Sequence, residues 1–194
     1  MQDLILASAS PRRSDLLQQA GYQFIIHKST LDHEEMSLPP PKGIENLALE
    51  KAQNVAVNYE DGVILGADTA VIYQNKVLGK PSDEEEAAKM LKLLSGDEHH
   101  VVTGIALLQV FQNKIITSIV DHVKTRVWMR KLEQDEIIAY INTGEPMDKA
   151  GAYGIQEKAA VFVEKLEGCY FNVVGLPLPQ VYLFLSRLGI KPWG

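Results

Sequence analysis

Two long segments rich in β-branched residues, at 101–111 and 115–129, limit the folds open to this chain more than anything else in it. Val, Ile and Thr favour extended backbone, and the short polar connection at 112–114 between the two runs is typical of an antiparallel hairpin. Elsewhere, apolar strand patterns alternate with helical patterns, which is the order of an α/β fold. A chain with both features is expected to build a long mixed β-sheet with helices packed on it.

The spacing of apolar residues predicts the remaining elements. Apolar runs ended by turn residues predict strands, and apolar residues three or four apart predict helices. The predicted strands lie at 4–7, 22–27, 63–73 and 160–165, and the predicted helices lie at 11–21, 44–58, 82–96, 133–142 and 177–188. Ser82 and Glu85 have the spacing of a capping box at the third helix. Because no repeat and no linker interrupts these elements, we expect one α/β domain over residues 1–194, with two lobes flanking a cleft.

Composition and charge exclude several classes of protein. Hydrophobic residues make up 46% of the 194 residues and charged residues 23%, so the chain can bury a core and is not disordered over most of its length. The formal net charge of −6 argues against a broad basic surface for nucleic acid or anionic lipid. The single cysteine, Cys169, excludes an internal disulfide and every multi-cysteine zinc site. Since no apolar run approaches the roughly 18 residues of a membrane span, we expect a soluble cytoplasmic protein.

Residues 8–13 join the first strand to the first helix. Free backbone N–H groups and the positive end of the helix dipole favour an anion at such a junction. Ser10 can cap the helix, and Pro11 suits the first helical position. Arg12 and Arg13 lie where the helix dipole repels cations, and a bound phosphate would relieve that repulsion. Removing Arg13 is therefore expected to stabilise the protein when no nucleotide is bound. We predict that Ser8, Ser10 and Arg13 bind phosphate; the alternative is two solvated arginines beside an ordinary capped helix.

Asp68 interrupts the apolar strand predicted at 63–73. An ionised carboxylate buried without a partner is expensive, so such a residue usually has a function. The alternative is that strand alternation turns Asp68 to solvent, or that it caps a turn. Lys51 and Lys80 are candidate cations for a triphosphate. The alternative for Lys80 is an ordinary surface lysine, and for Lys51 it is a lysine whose aliphatic stem is buried while its charge stays in water.

A glycine-bearing stretch occupies residues 145–156. Its small residues permit close approach of a ligand, and Lys149 and Gln156 offer polar contacts, so it can form an anion-binding nest or a base pocket. The alternative is a structural turn between helix and strand.

Carboxylates rather than histidines are the candidate metal ligands. The five histidines have no metal-ligand spacing such as HExxH. The acids at 32, 34, 35 and 68 supply hard oxygen ligands, which suit Mg²⁺ better than Zn²⁺.

Seven short motifs follow one another along almost the whole chain. They are LILASASPRR at 4–13, LEKA at 49–52, GADT at 66–69, LGKP at 78–81, LLSGDEHHVVTG at 93–104, EPMDKAGAYGIQ at 145–156 and NVVGLP at 172–177. Together they resemble the Maf family, the septum-formation inhibitor or Maf-like proteins. Members of this family hydrolyse nucleoside triphosphates to the monophosphate and pyrophosphate, so the resemblance implies that activity in a fold like that of the inosine triphosphatases.

The resemblance also implies a role for individual residues. For catalysis it implies Asp68 as proton acceptor, and for phosphate binding it implies the cations Arg12, Arg13, Lys51 and Lys80. For base selection it implies Arg12, Thr69 and Gln156, and for the metal Asp32 and Asp68. The metal it implies is Mg²⁺ or Mn²⁺. Glu34 is the alternative to Asp32, because His33 interrupts the adjacent acid pair that is usual in the family.

The GADT and AGAYGIQ forms resemble the branch of the family that acts on dTTP and UTP, whereas the branch that acts on 7-methyl-GTP tends to have GSDQ at the aspartate. The sequence therefore predicts a cytoplasmic pyrophosphatase for dTTP and UTP, with no stable nucleic-acid binding and no membrane partner. The resemblance suggests a homodimer. Two alternatives stay open: a non-catalytic nucleotide-binding regulator of septum formation, and a pyrophosphatase for inosine-type triphosphates.

Overall fold

The chain forms two compact units. The computed structural model describes residues 2–31, 36 and 38–193. The first unit comprises Met1–Asp68, Thr103–Val123 and Gly175–Gly194, and the second comprises Thr69–Val102 and Lys124–Val174. The two predicted lobes are thus confirmed, whereas the predicted cleft and the single domain over 1–194 stay predictions.

Strands and helices alternate over most of the chain. The strands of the described residues are β1 (Leu4–Ala7), β2 (Ile25–Ile26), β3 (Gly62–Tyr73), β4 (Lys76–Leu78), β5 (Glu98–Phe111), β6 (Lys114–Met129) and β7 (Val163–Glu167). The α-helices of the same residues are α1 (Pro11–Gln19), α2 (Lys42–Ala56), α3 (Glu84–Leu94), α4 (Gln134–Ile141), α5 (Tyr170–Val174) and α6 (Leu178–Arg187). Short 3₁₀ helices cover Glu145–Asp148, Ala150–Ala152 and Lys158–Phe162. Throughout the described part of the chain, no helix has both the length and the hydropathy needed to cross a membrane.

The strands form one mixed sheet in the order β2-β1-β3-β5-β6-β7, with β4 paired to β3. β1 is parallel to both of its neighbours, and Ile5 lies opposite Ile25 on one side and Ile64 on the other. β4 is antiparallel to β3, and β7 is antiparallel to β6. Parallel neighbours need long crossovers, which α1 and α2 supply, whereas antiparallel neighbours can be joined by short turns. The predicted long mixed sheet is confirmed.

Two tight turns close the hairpins. Gln112 and Asn113 connect β5 to β6 with φ of 50° and 61°, and Gln74 and Asn75 connect β3 to β4 with φ of 46° and 64°. Two consecutive left-handed residues are the mark of a type I′ turn, whose twist matches that of the paired strands. The hairpin predicted around residues 112–114 is therefore confirmed.

Each unit has its own apolar core. In the first unit, small residues of α2 pack over β1, β3 and β5; the buried residues include Ile5, Ala7, Ala48, Ala52, Val55, Ile64, Ala106 and Leu108. In the second unit, α3 and α4 pack with residues of β3 and β6; the buried residues include Val71, Ala87, Leu91, Leu94, Val127, Ile137, Tyr153 and Phe162. Strands covered in this way have nearly continuous apolar sequences, as residues 63–67 do.

Two strand glycines let α2 lie unusually close to the sheet. A Cβ atom on Gly66 would stand 2.3 Å from the carbonyl oxygen of Ala48, and one on Gly104 would stand 2.5 Å from the carbonyl oxygen of Ile44. Neither distance is compatible with a side chain. The absence of two side chains therefore fixes the depth at which the helix docks, and with it the position of every residue on that helix.

Two predicted helix caps differ in the structure. Asp83, not Ser82, caps α3, and its side chain accepts the N–H of Glu86 at 2.8 Å. Ser82 instead donates its own N–H and hydroxyl to the Glu86 carboxylate. Serine and aspartate are about equally good N-cap residues, so the sequence does not indicate which of these two neighbours caps the helix. Ser10 occupies the N-cap position of α1 without a side-chain capping bond, and Pro11 is the first helical residue as predicted.

Two predicted strands are shorter than expected. The strand expected at 22–27 is limited to Ile25–Ile26, at the edge of the sheet. The strand expected at 160–165 begins only at Val163, because Lys158–Phe162 forms a 3₁₀ helix that buries Ala159 and Phe162. Their spacing of three matches one 3₁₀ turn, which places both on one face. The short helix α5 was not expected from the sequence.

Candidate active site

Asp68 and Lys51 form an ion pair in the first unit, in which the Lys51 ammonium donates to Asp68 Oδ1. Only 14% of the Asp68 side chain and 15% of the Lys51 side chain are exposed. Pairing offsets the cost of taking each charge out of water. The interpretation of Asp68 as a solvent-facing or turn-capping residue is therefore wrong, and so is that of Lys51 as a lysine whose charge stays in water.

Close docking of α2 brings these two residues together. Gly66 and Asp68 are two positions apart in β3 and so lie on the same face of the strand. Ala48 and Ala52 contact the Gly66 position from the helix, and Lys51 is the residue before Ala52. The charged pair thus follows directly from the helix-to-strand contact.

The residues predicted at the start of α1 form a hydrogen-bond network. Arg13 Nη1 donates to Ser8 Oγ at 3.1 Å and to the carbonyl oxygen of Ala67 at 2.8 Å, and Arg13 Nε donates to the carbonyl oxygen of Gly175 at 2.9 Å. Ser8 is buried and also accepts the N–H of Ser10 at 3.2 Å. Arg13 therefore ties the end of β1 to β3 and to the segment before α6. Arg12 and Ser10 are half-buried beside this network.

These bonds reverse the expected effect of Arg13 on stability. We expect Arg13→Ala to lower the free energy of unfolding by about 1 to 2 kcal/mol, because two backbone carbonyls lose a charged donor. Urea denaturation of the nucleotide-free protein measures the change. Arg187→Ala is the matched control, since Arg187 is exposed in the last turn of α6. A midpoint for Arg13→Ala at or above that of the wild type would contradict this expectation.

The other predicted site residues lie in the second unit. Thr69 follows Asp68 directly in β3 and is half-buried, while Lys80 and Gln156 are exposed. Lys80 comes two residues after β4, and the N–H of Gly151 donates to the carbonyl oxygen of Gly79 at 3.0 Å. This bond joins the segment that carries Lys80 to the glycine-bearing stretch that carries Gln156.

Lys149 does not have the ligand-facing position that its sequence context suggested. Its side chain is buried, and its ammonium bonds to the backbone of Glu145 and to the carboxylates of Asp148 and Glu157. The stretch is thus a structured element with an internal charged centre. Polar residues in a glycine-rich stretch look the same in sequence whether they bind a ligand or the loop itself.

Of the two predicted metal ligands, Asp32 and Asp68, only Asp68 is among the residues that the structure describes. Its carboxylate supplies a hard oxygen in a largely buried position, and this donor chemistry fits Mg²⁺ or Mn²⁺. The second predicted ligand, Asp32, and its alternative Glu34 lie outside the described residues.

A second group of metal-ligating residue types was missed by sequence reasoning. Ligand atoms of Glu45, Asp121 and His122 lie within 4.8 Å of one another. Burial raises the pKa of the Glu45 carboxyl, but hydrogen bonds from Lys42 and His122 outweigh it and hold that pKa below its usual value. Gln180 donates to Asp121 at 3.0 Å. A lysine and an amide already bind these two carboxylates, just as Lys51 binds Asp68, so hydrogen bonding does not rank the two candidate sites. Asp121 and His122 are adjacent in the sequence but Glu45 is far from both, so no local signal could have found the group.

The fold and the family are both matched by known proteins. A HAM1 protein from Coxiella burnetii shares the fold, with a TM-score of 0.54, 16% sequence identity, and coverage of 96% of this chain and 100% of that one. The chain belongs to the Maf-like protein family, whose model matches residues 3–188. A relative from Geobacillus sp. (strain WCH70) is named dTTP/UTP pyrophosphatase and is 50% identical over 97% of this chain and 100% of its own length. A relative of the same name from Moorella thermoacetica is 49% identical over 100% of this chain and 99% of its own length.

Proposed function

We propose that the protein is a nucleoside triphosphate pyrophosphatase that hydrolyses dTTP and UTP to the nucleoside monophosphate and pyrophosphate. The observation that carries this proposal is the largely buried Asp68–Lys51 pair, which holds a proton-accepting carboxylate beside a cation that can bind phosphate. The names of the relatives from Geobacillus and Moorella support the choice of dTTP and UTP.

In the proposed reaction, the oxygen of a water molecule attacks the α-phosphorus. The bond from this phosphorus to the oxygen that bridges it to the β-phosphorus breaks, and pyrophosphate leaves with that oxygen. Asp68 accepts a proton from the attacking water, and Lys51 orients the Asp68 carboxylate through its hydrogen bond to Oδ1. Arg13 and Lys80 neutralise the triphosphate, and Arg13 does so from a position fixed by its bonds to backbone carbonyls.

Further residues complete the proposed site. The hydroxyls of Ser8 and Ser10 bind phosphate oxygens at the start of α1. Asp68 and Asp32 would hold a divalent cation, Mg²⁺ or Mn²⁺. When bound, this ion stabilises negative charge on the phosphate oxygens. Arg12, Thr69 and Gln156 select the base.

A panel of nucleotides assayed for pyrophosphate release tests the proposed function. The panel contains dTTP, UTP, CTP, GTP, ATP, ITP and 7-methyl-GTP, each with Mg²⁺ and with a chelator. We expect the highest kcat/KM for dTTP and UTP, and loss of turnover with the chelator. Binding of dTTP without turnover would support a non-catalytic regulator instead. Faster hydrolysis of ITP would support the inosine-type alternative.

Gln156→Ala is expected to lower kcat/KM for dTTP and UTP by roughly tenfold, because an amide can donate to and accept from the pyrimidine edge. Poor purine substrates should change much less, so the selectivity ratio shrinks. Measuring kcat/KM with dTTP, UTP, CTP, GTP and ATP separates the two groups. Gln134→Ala is the control, since Gln134 is also exposed in the second unit. An equal decrease on all nucleotides would move Gln156 to a phosphate or structural role.

We further propose that the protein acts in the cytoplasm as a homodimer and folds as one domain over residues 1–194. The family resemblance supports the homodimer, and the net charge of −6 supports the proposal that it does not bind nucleic acid stably. Light scattering after size exclusion should give twice the chain mass of 21.6 kDa. A single cooperative unfolding transition would support one domain, and two transitions would contradict it.

A further inference from the structure

Lys149 is a buried cation, and the partners of its ammonium among residues 2–31, 36 and 38–193 all lie in one loop, residues 145–157, which we call the Lys149 loop. Only 6% of its side chain is exposed. Its ammonium donates to the carbonyl oxygen of Glu145 at 2.7 Å and to Asp148 Oδ1 at 2.7 Å, and lies 3.0 Å from Glu157 Oε2. An ammonium has three donors, and three acceptors surround it. The first and last residues of the loop are therefore bound to the same nitrogen atom.

Gly154 extends this contact toward Gln156. A Cβ atom at position 154 would stand 2.6 Å from Lys149 Cε and 2.8 Å from Lys149 Cδ, so the glycine backbone rests directly on the aliphatic part of the lysine. Gly154 is two residues before Gln156, and Glu157 is the residue after it. Lys149 thus contacts the chain on both sides of the residue proposed to select the base.

Separate contacts hold the middle of the Lys149 loop. The hydroxyl of Tyr153 is 2.6 Å from His99 Nε2, and Gly151 packs against Val71 and donates to Gly79. Burial lowers the pKa of His99 to about 4, so its imidazole is neutral near pH 7 and shares a hydrogen bond with the Tyr153 hydroxyl. These contacts do not involve Lys149. Loss of the lysine therefore loosens the end of the loop that carries Gln156 and leaves its middle in place.

We propose that Lys149 is a positioning residue for substrate selectivity, which holds Gln156 in place through Gly154 and Glu157. This inference rests on the proposed pyrimidine triphosphate activity. A side chain held in one position loses less conformational entropy when it binds its partner than one that must first be ordered. Removing Lys149 should thus weaken binding of the preferred base and leave the chemistry at Asp68 unchanged.

Two substitutions that act on the same contact test the proposal. Lys149→Met keeps most of the aliphatic side chain and removes the ammonium, and Gly154→Ala pushes that side chain away from its acceptors. Each is expected to raise KM for dTTP and UTP about tenfold, to change kcat less than about threefold, and to leave kcat/KM for GTP and ATP almost unaltered. Lys158→Met is the matched control, since 68% of the Lys158 side chain is exposed and its contact with Glu145 spans 3.6 Å.

A double substitution then separates positioning from a general loss of structure. Gly154→Ala should have little further effect in a Lys149→Ala protein, because the atoms with which its Cβ clashes are gone. Folded Lys149→Met and Gly154→Ala proteins with wild-type selectivity would overturn the proposal, and so would an equal loss on all nucleotides. If Lys149→Met does not fold, Gly154→Ala alone decides. A wild-type protein that turns over none of the nucleotides would instead overturn the proposed function, and this inference with it.

Discussion

Asp68→Asn is expected to lower kcat for dTTP hydrolysis by a factor of about 10² or more, the usual scale for a general base. The amide has the volume of the carboxylate but cannot accept a proton from water. Its oxygen can still accept the hydrogen bond from Lys51, so the contact between β3 and α2 should persist. The loss should therefore appear in kcat, with circular dichroism and the unfolding midpoint close to those of the wild type.

Asp3→Asn is the matched control for this experiment, because Asp3 is exposed in the same unit and its side chain is not part of the proposed site. It should keep full activity. His122→Ala is a second control, which tests whether the group at Glu45 and Asp121 contributes to metal dependence; we expect the Mg²⁺ requirement to be unaltered. If folded Asp68→Asn protein turned over dTTP at nearly the wild-type rate, Asp68 would not be the base.

Gly66→Ala is expected to lower the free energy of unfolding by about 3 kcal/mol, near the upper end for overpacking a core. The new Cβ would stand 2.3 Å from the carbonyl oxygen of Ala48 and 2.9 Å from the backbone nitrogen of Ala52. Because both are backbone atoms of α2, no side-chain rotation relieves the clash. The helix must move away from β3, and Lys51 must move with it.

Gly79→Ala is the control for backbone effects of alanine itself, since a Cβ at position 79 meets nothing within 4 Å. It should unfold at the wild-type midpoint or slightly above, because alanine restricts the unfolded chain. Chemical denaturation of both variants measures the difference. Equal midpoints for Gly66→Ala and Gly79→Ala would show that α2 does not depend on Gly66 for its docking depth.

Much of the fold could be predicted because its determinants are local. The hairpin between β5 and β6 follows from two β-branched runs and a two-residue polar connection, and α2 follows from apolar residues at helical spacing. Asp68 could be singled out because a charge inside an apolar run needs a partner. The identity of that partner was not local information, since Lys51 is 17 residues away and on another element.

Other features depend on contacts that no pattern in the sequence indicates. Arg13 is bound by the backbone carbonyls of Ala67 and Gly175, and any residue could supply a carbonyl at those positions. Removal of Arg13 loses these hydrogen bonds, which outweigh the relief of its repulsion by the helix dipole. The Lys149 loop is a second case, because the same lysine in the same glycine-bearing stretch is compatible with binding an anion or with binding the loop's own acids.

The type I′ turn between β5 and β6 is a position where substitution can raise the melting temperature. Gln112 and Asn113 hold left-handed backbone without being the asparagine and glycine that this turn prefers. A left-handed conformation costs a residue with a side chain about 1 kcal/mol, and glycine largely avoids that cost. Replacing the pair by Asn-Gly should raise the melting temperature without touching any proposed site residue, and an unchanged melting temperature would contradict this. A laboratory that needed this protein to withstand heat should begin its engineering at that turn.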